Sequence, residues 1–155
     1  MNRRPLLLLP LVVSAGLACA PIGETPGLRL GGSLAPTPDT FAFVQDTEVI
    51  QLSAKGMILP RVVNIWGVGF DDAMYVWSDP GSGWSERVAQ RPENVRVRIG
   101  DRVFAVRAIR VQDSAETARV GAAFQAKYAE QIMELYGQPM TSDDFELLFR
   151  LTPIE

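Results

Sequence analysis

No histidine occurs anywhere in this sequence, and cysteine occurs once, at Cys19. Without histidine there is no histidine-ligated metal centre, no histidine general base and no serine–histidine–acid triad. A single cysteine forms no internal disulfide. If it is removed or modified, no thiolate is left for a nucleophile or an iron–sulfur site. A carboxylate-only metal site stays open, although no calcium-loop spacing is present. Long apolar runs are also missing. The uncharged stretch 5–18 falls short of the roughly 20 residues of a membrane span and carries Pro5 and Pro10, each costing about 3 kcal/mol in a helix interior. Positive charge is in deficit, with 15 Lys and Arg against 18 Asp and Glu and a formal net charge of −3. That balance argues against nucleic-acid binding, which needs a basic footprint. There is no internal repeat.

What is present begins with Arg3 and Arg4, the apolar stretch, and small residues at Ala18-Cys19-Ala20. This is the order of a removable export signal. Two processing routes fit it. Gly16-Leu17-Ala18-Cys19 resembles the bacterial lipobox, with Gly16 where an aliphatic residue is usual, and would leave Cys19 lipidated. Ala18-Cys19-Ala20 also fits ordinary cleavage after Ala20. The expectation is an export signal over residues 1–19 and a protein on the periplasmic side of a bacterial membrane, held by lipid on Cys19, or soluble there if cleaved. Loss of residues 1–18 takes Arg3 and Arg4 with it and moves the formal charge to −5. Residues 20–40, rich in Pro, Gly, Ser and Thr, are expected to form a tether; the other reading has them pack on the domain through Leu28, Leu30 and Leu34.

Residues 41–155 are the size of one domain. Strands are expected at 47–53 and at 61–70, the latter dense in β-branched and aromatic residues and buried on both faces. A turn at Asp71-Asp72 and a strand at 73–78 complete a hairpin. The loop 79–83 breaks it, and a short helix follows at 84–90, capped near Ser82. Strict alternation at 94–99 places Val95, Val97 and Ile99 on one face and Arg96 and Arg98 on the other. Gly100-Asp101 is a two-residue hairpin loop into a strand at 102–111. One long helix is expected over 114–136, with Val120, Phe124, Tyr128, Ile132 and Leu135 on its apolar stripe and Gly137 and Pro139 as its stop. The last strand is expected at 145–151. Many strands, hairpin joins and few helices imply an antiparallel sheet that closes or nearly closes, with the long helix packed against it.

In chain order, Asn64-Ile65-Trp66, Tyr75-Val76-Trp77-Ser78, the glycine-containing loop 79–83, Trp84, the segment 92–97, and Ala123 with Lys127-Tyr128 together resemble the split-barrel flavin- or deazaflavin-binding superfamily. The similarity is to an uncharacterised branch near the deazaflavin-dependent nitroreductases. It implies an α+β, mainly β fold: an antiparallel split β-barrel with one short and one long helix. It also implies a ligand such as FMN or a deazaflavin, and it allows a homodimer with the site between subunits. Carried onto this chain, the phosphate contacts fall at Ser78, Gly81 and Ser82, which offer hydroxyl and backbone donors. Trp66 and Trp84 could stack on a flat ring, and Asn64 could bond a ligand carbonyl. The chain departs from the pattern at Trp77, where close relatives often have arginine, and at Asp79, where the nitroreductases often have lysine. A carboxylate repels a phosphate.

Each candidate also has a structural reading. Trp66 and Trp84 could be core residues, and Asn64 could bond neighbouring backbone. Arg96, Arg98, Arg102, Arg107 and Arg110 could form an anion-binding stripe, or a solvated sheet face partnered by Glu93, Asp101 and Asp113. Lys127-Tyr128 could be structural. Two functions follow as expectations. One is an exported, lipid-anchored envelope protein whose barrel binds a small molecule or a protein partner without catalysis. The other is a flavin- or deazaflavin-dependent oxidoreductase, in which the cofactor supplies the hydride chemistry.

Overall fold

A computed structural model describes residues 23–25, 29–55, 60–70 and 72–154. Cys19, the expected export signal and the first part of the expected tether lie outside the described residues or at their margin. The strands are β1 (Gly23–Thr25), β2 (Ser33–Leu34), β3 (Ile50–Lys55), β4 (Pro60–Ile65), β5 (Gly67–Phe70), β6 (Ala73–Trp77), β7 (Val95–Ile99), β8 (Arg102–Arg110) and β9 (Leu148–Pro153). The α-helices are α1 (Gly83–Gln90), α2 (Ser114–Lys127) and α3 (Ala129–Tyr136), and short 3-10 helices lie at Ala42–Asp46 and Ser142–Phe145.

The strands make one sheet in the order β1-β4-β3-β7-β8-β9-β6-β5, with β2 paired to β8. Every pairing is antiparallel except that of β2 with β8. The stretch 61–70, expected as one strand, is two. They are separated only by Trp66. β4 pairs with β3 while β5 pairs with β6, so the edge strand β5 and the strand β4 near the opposite edge, which only the three-residue β1 flanks, are consecutive pieces of one chain segment. That curls the sheet into an α+β split barrel, as the hairpin pattern implied.

Alternation along the strands builds two cores. Met74 and Val76 of β6 face the barrel interior with Leu52, Val63, Val97, Phe104 and Leu151. Ala73 and Tyr75 of the same strand face outward, into a second core with Val68, Val120, Phe124, Ile132 and Leu148. Period-two burial is what a strand packed on both sides requires. At Gly69 a Cβ would collide with the Phe41 carbonyl oxygen, so only glycine lets the 3-10 helix cross β5 this closely. The arginine stripe is largely answered locally. Arg98 bonds Gly100 O, Leu30 O and Asp101, Arg107 pairs with Glu93, Arg110 pairs with Glu146, and Arg102 lies 4.3 Å from the Phe43 ring centre. Asp113 instead caps α2, accepting from Glu116 N at 2.7 Å. Residues 30–35 run along the barrel: Ser33 N bonds Asp101 O, Ala35 N bonds Val103 O, and Ala35 packs against the inner core.

Two further expectations need correction. The last strand begins at Leu148, not at 145, because Phe145 closes a 3-10 turn fixed by a Thr141–Asp144 capping box. The long helix 114–136 is interrupted at Tyr128, whose φ of −115° and ψ of 25° leave the helical region. Its neighbours explain the break. Lys127 Nζ donates to Val44 O, Thr47 O and Gly67 O at 2.7–2.8 Å. Tyr128 Oη accepts from Gly67 N at 3.0 Å and lies 2.9 Å from both Glu48 O and Gly67 O, to one of which it can donate at a time. Consecutive residues on an unbroken helix point about 100° apart. Opening the helix at Tyr128 lets both side chains reach Gly67. Leu135 does not continue the buried stripe: it is 60% exposed while Val120, Phe124, Tyr128 and Ile132 are at 1% or less.

Burial pushes the Tyr128 hydroxyl up to about 12; the bond from Gly67 N opposes this and the Glu48 charge adds to it. The folded state therefore keeps this proton where an unfolded tyrosine, titrating near 10, has lost it. Stability from this group is complete below about pH 10 and is lost as pH rises toward 12. Burial pulls Lys127 down to about 8, against the charges of Asp46 and Glu48; that group acts at lower pH and in the opposite sense. Tyr128→Phe keeps the ring and is expected to cost about 1–2 kcal/mol at neutral pH. It should also flatten the alkaline fall in denaturant-unfolding free energy. An unchanged alkaline limb would contradict this assignment.

Candidate functional site

Beside the barrel seam, the end of β4, the residues after β6, the start of α1 and the end of α3 enclose a cleft of about 190 Å³. Its wall contains Asn64, Trp66, Ser78, Ser82 and Trp84, so five of the six residues singled out in the sequence come together. Gly81 does not line it. Gly81 sits in the exposed turn before α1 with φ of +82° and nothing within 4 Å of a Cβ position. Its glycine character serves the turn rather than the wall. The remaining wall residues are Val63, Ile65, Trp77, Asp79, Leu135 and Tyr136. All three tryptophans of the chain therefore meet at one cleft.

Each aromatic ring is held from behind. Trp66 stacks on Tyr128 with centres 4.7 Å apart and planes 11° apart. Trp84 packs against Phe149, and Trp77 against Phe145 and Tyr136. Trp66 and Trp84 are 6% and 5% exposed, so each is a core residue and a wall residue at once. Trp77 Nε1 donates to Asp144 O at 2.6 Å. The Nε1 of Trp66 is buried and has no partner among the described residues, an uncommon state for a buried donor.

The polar side chains mostly satisfy one another. Asn64 Oδ1 accepts from Gln51 Nε2 at 3.1 Å, so its observed partner is a side chain rather than backbone. The Ser78 and Ser82 hydroxyls lie 2.6 Å apart, and Ser78 Oγ is also 3.0 Å from Asp79 O. Ser82 flanks α1 without capping it through its side chain. Asp79 is the single charged residue of the wall, and burial raises its carboxyl above the ordinary range. No side chain among the described residues bonds that carboxylate. An adjoining groove shares Trp77, Asp79 and Tyr136 and adds Asp143, Asp144 and Glu146, with no lysine or arginine. Burial, then the charges of Asp79 and Asp144, raise the Tyr136 hydroxyl.

This donor set does not fit a flavin phosphate. Among the described residues no cation faces the cleft, a carboxylate does, and the two hydroxyls assigned to the phosphate bond each other. Nor is a metal site evident: no group of three acidic, histidine or cysteine side chains is placed to hold an ion among the described residues. No described helix is long and apolar enough to cross a membrane. Sequence reasoning noted the departures at Trp77 and Asp79 without placing them in the wall, and it missed Tyr136. Leu135 and Tyr136 line the cleft from the last turn of α3, beyond the break at Tyr128, which periodicity along 114–136 conceals.

The fold is shared with solved structures of low sequence identity. A candidate pyridoxamine 5'-phosphate oxidase from Listeria innocua is 19% identical with a TM-score of 0.55, over 74% of this chain and 90% of that one. The heme storage protein HutZ from Vibrio cholerae is 20% identical with a TM-score of 0.55, over 73% and 86%. A FAD-binding protein from Mesorhizobium loti is 16% identical with a TM-score of 0.53, over 72% and 83%. These are split-barrel proteins, and at such identities they establish the fold alone. No curated protein matches the sequence. A family model described as "Uncharacterized protein conserved in bacteria" (DUF2255) matches residues 39–148, and the chain belongs to that family.

Proposed function

We propose that this split barrel binds a compact, largely apolar small molecule in the tryptophan-lined cleft and does so without catalysis, as an exported protein anchored by lipid on Cys19. The observation that carries the reading is the wall itself: three tryptophans and Tyr136 around a cavity that no basic side chain faces. Aromatic walls with a few placed polar groups are the usual make-up of small-molecule sites. At about 190 Å³ the cleft is smaller than the roughly 300–1,000 Å³ typical of pockets for drug-sized ligands, which favours a small occupant. No wall residue pairs a nucleophile with a base, and histidine is absent. Export rests on the order Arg3-Arg4, apolar stretch, Cys19.

The second reading is a flavin- or deazaflavin-dependent oxidoreductase, favoured by the FAD-binding relative and by the unpartnered Trp66 Nε1, which could meet a ring carbonyl. A homodimer completing the site would be part of that reading. Heme, as held by the Vibrio relative, would have to be ligated without histidine.

Purified full-length protein should show no visible absorbance, and FMN at tens of micromolar should not quench its tryptophan emission. Benzyl alcohol at millimolar concentration should shift that emission. A bound chromophore, or saturable quenching by FMN, would overturn the non-catalytic reading in favour of the flavin one. For the anchor, mass spectrometry of the mature N-terminus should find a diacylglyceryl-modified Cys19; an unmodified Pro21 start would exclude it.

A further inference from the structure

We propose that the occupant of this cleft is an organic ammonium cation, held between the aromatic wall and the Asp79 carboxylate. The inference rests on the cleft being a small-molecule site and goes on to name the charge of what it takes.

Three observations converge. The first is the wall, where Trp66, Trp77, Trp84 and Tyr136 all contribute to one small cleft. Ring faces carry negative electrostatic potential and attract cations, tryptophan most strongly, and aromatic enclosures are a recurring answer to quaternary ammonium groups. The second is charge. Asp79 is the one charged residue in the wall, and no side chain among the described residues answers its carboxylate. Asp79 is exposed where it lines the cleft, so its carboxylate stands within reach of a cationic group seated there, and an opposite charge favours its ionised form. The N-terminus of α1 opens beside Ser82 and contributes about half a positive charge, which a full carboxylate outweighs. The third is the surroundings. The neighbouring groove presents Asp143 and Asp144, with Glu146 partly answered by Arg110. The hydrogen bonds that Asp144 accepts from Thr141 hold its carboxyl below the usual range, so it stays charged. A cleft flanked by one sign of charge raises the local concentration of the opposite ion.

An anion has none of this support, since no lysine or arginine lines either cavity. A neutral apolar molecule would use the rings but leave the exposed Asp79 carboxylate at the cleft without a partner side chain.

The test compares choline with its uncharged carbon isostere, in which carbon replaces nitrogen, on the full-length protein by calorimetry and tryptophan fluorescence. Choline should bind at least about tenfold more tightly than the isostere. In Asp79→Asn, choline should lose most of its advantage and keep only what the ring faces give it, while the isostere is unchanged, which also shows that the cleft is still folded. Isostere binding equal to or tighter than choline would overturn the cation assignment and leave the small-molecule reading standing. Failure of choline, isostere and benzyl alcohol alike would overturn both.

Discussion

The structure depends on how its sheet is closed. Residues 60–70 supply strands at opposite sides of the strand order, β5 at one edge and β4 next to the other edge, where only the short β1 lies beyond it, with Trp66 alone between them. The residue just past that junction, Gly67, receives an unusual set of contacts. Its N–H donates to the Tyr128 hydroxyl and its carbonyl accepts from Lys127, while Lys127 also gathers the carbonyls of Val44 and Thr47. An ammonium has three protons to give, and here each finds a backbone oxygen. Hydrogen bonds to charged groups are worth more than neutral ones, and a buried carbonyl left without a donor is costly. The Lys127-Tyr128 pair thus ties the helical layer, the 3-10 helix before β3 and the barrel seam to a single residue.

The cleft follows from that closure. Trp66 sits at the junction with one ring face on Tyr128, so the group that clamps the seam also backs a wall of the cavity. After the break at Tyr128, α3 brings Leu135 and Tyr136 to the cleft beside the end of β4 and the Ser78–Ser82 turn. The seam and one wall of the cleft therefore share Tyr128 as a support. The charge of the cleft is set separately, by Asp79 and the neighbouring carboxylates of the 3-10 turn at Ser142–Phe145. This separates scaffold from specificity: relatives sharing the barrel can hold heme or FAD, while this wall carries a carboxylate and no cation.

Much of this was legible in the sequence wherever one physical rule acted alone. Alternation at Val95, Val97 and Ile99, and the hairpin at Gly100-Asp101, appear as expected because pleat and turn chemistry are local. The split-barrel class and the meeting of Asn64, Trp66, Ser78, Ser82 and Trp84 were within reach because motif order carries topology. What was hidden is tertiary. In 61–70 only Gly67 and Gly69 hint at an interruption, and apolar residues continue on both sides of Trp66, so the point where one strand becomes two does not stand out. The stripe Val120, Phe124, Tyr128, Ile132 predicts an unbroken helix, and only the competing demands of Lys127 and Tyr128 for Gly67 interrupt it. Gly81, expected at the phosphate site, lies outside the wall in a turn that its positive φ suits.

The central claim is that the Lys127-Tyr128 grip on Gly67 holds the β4–β5 junction that closes the sheet. Native-state hydrogen exchange in Lys127→Met measures this most directly. The account predicts lost protection along both sides of the junction, at amides of β4 and β5 and of their partners β3 and β6, with the β7–β8 hairpin little changed. Loss confined to the last turn of α2, with the seam strands as protected as in the unaltered protein, would contradict it.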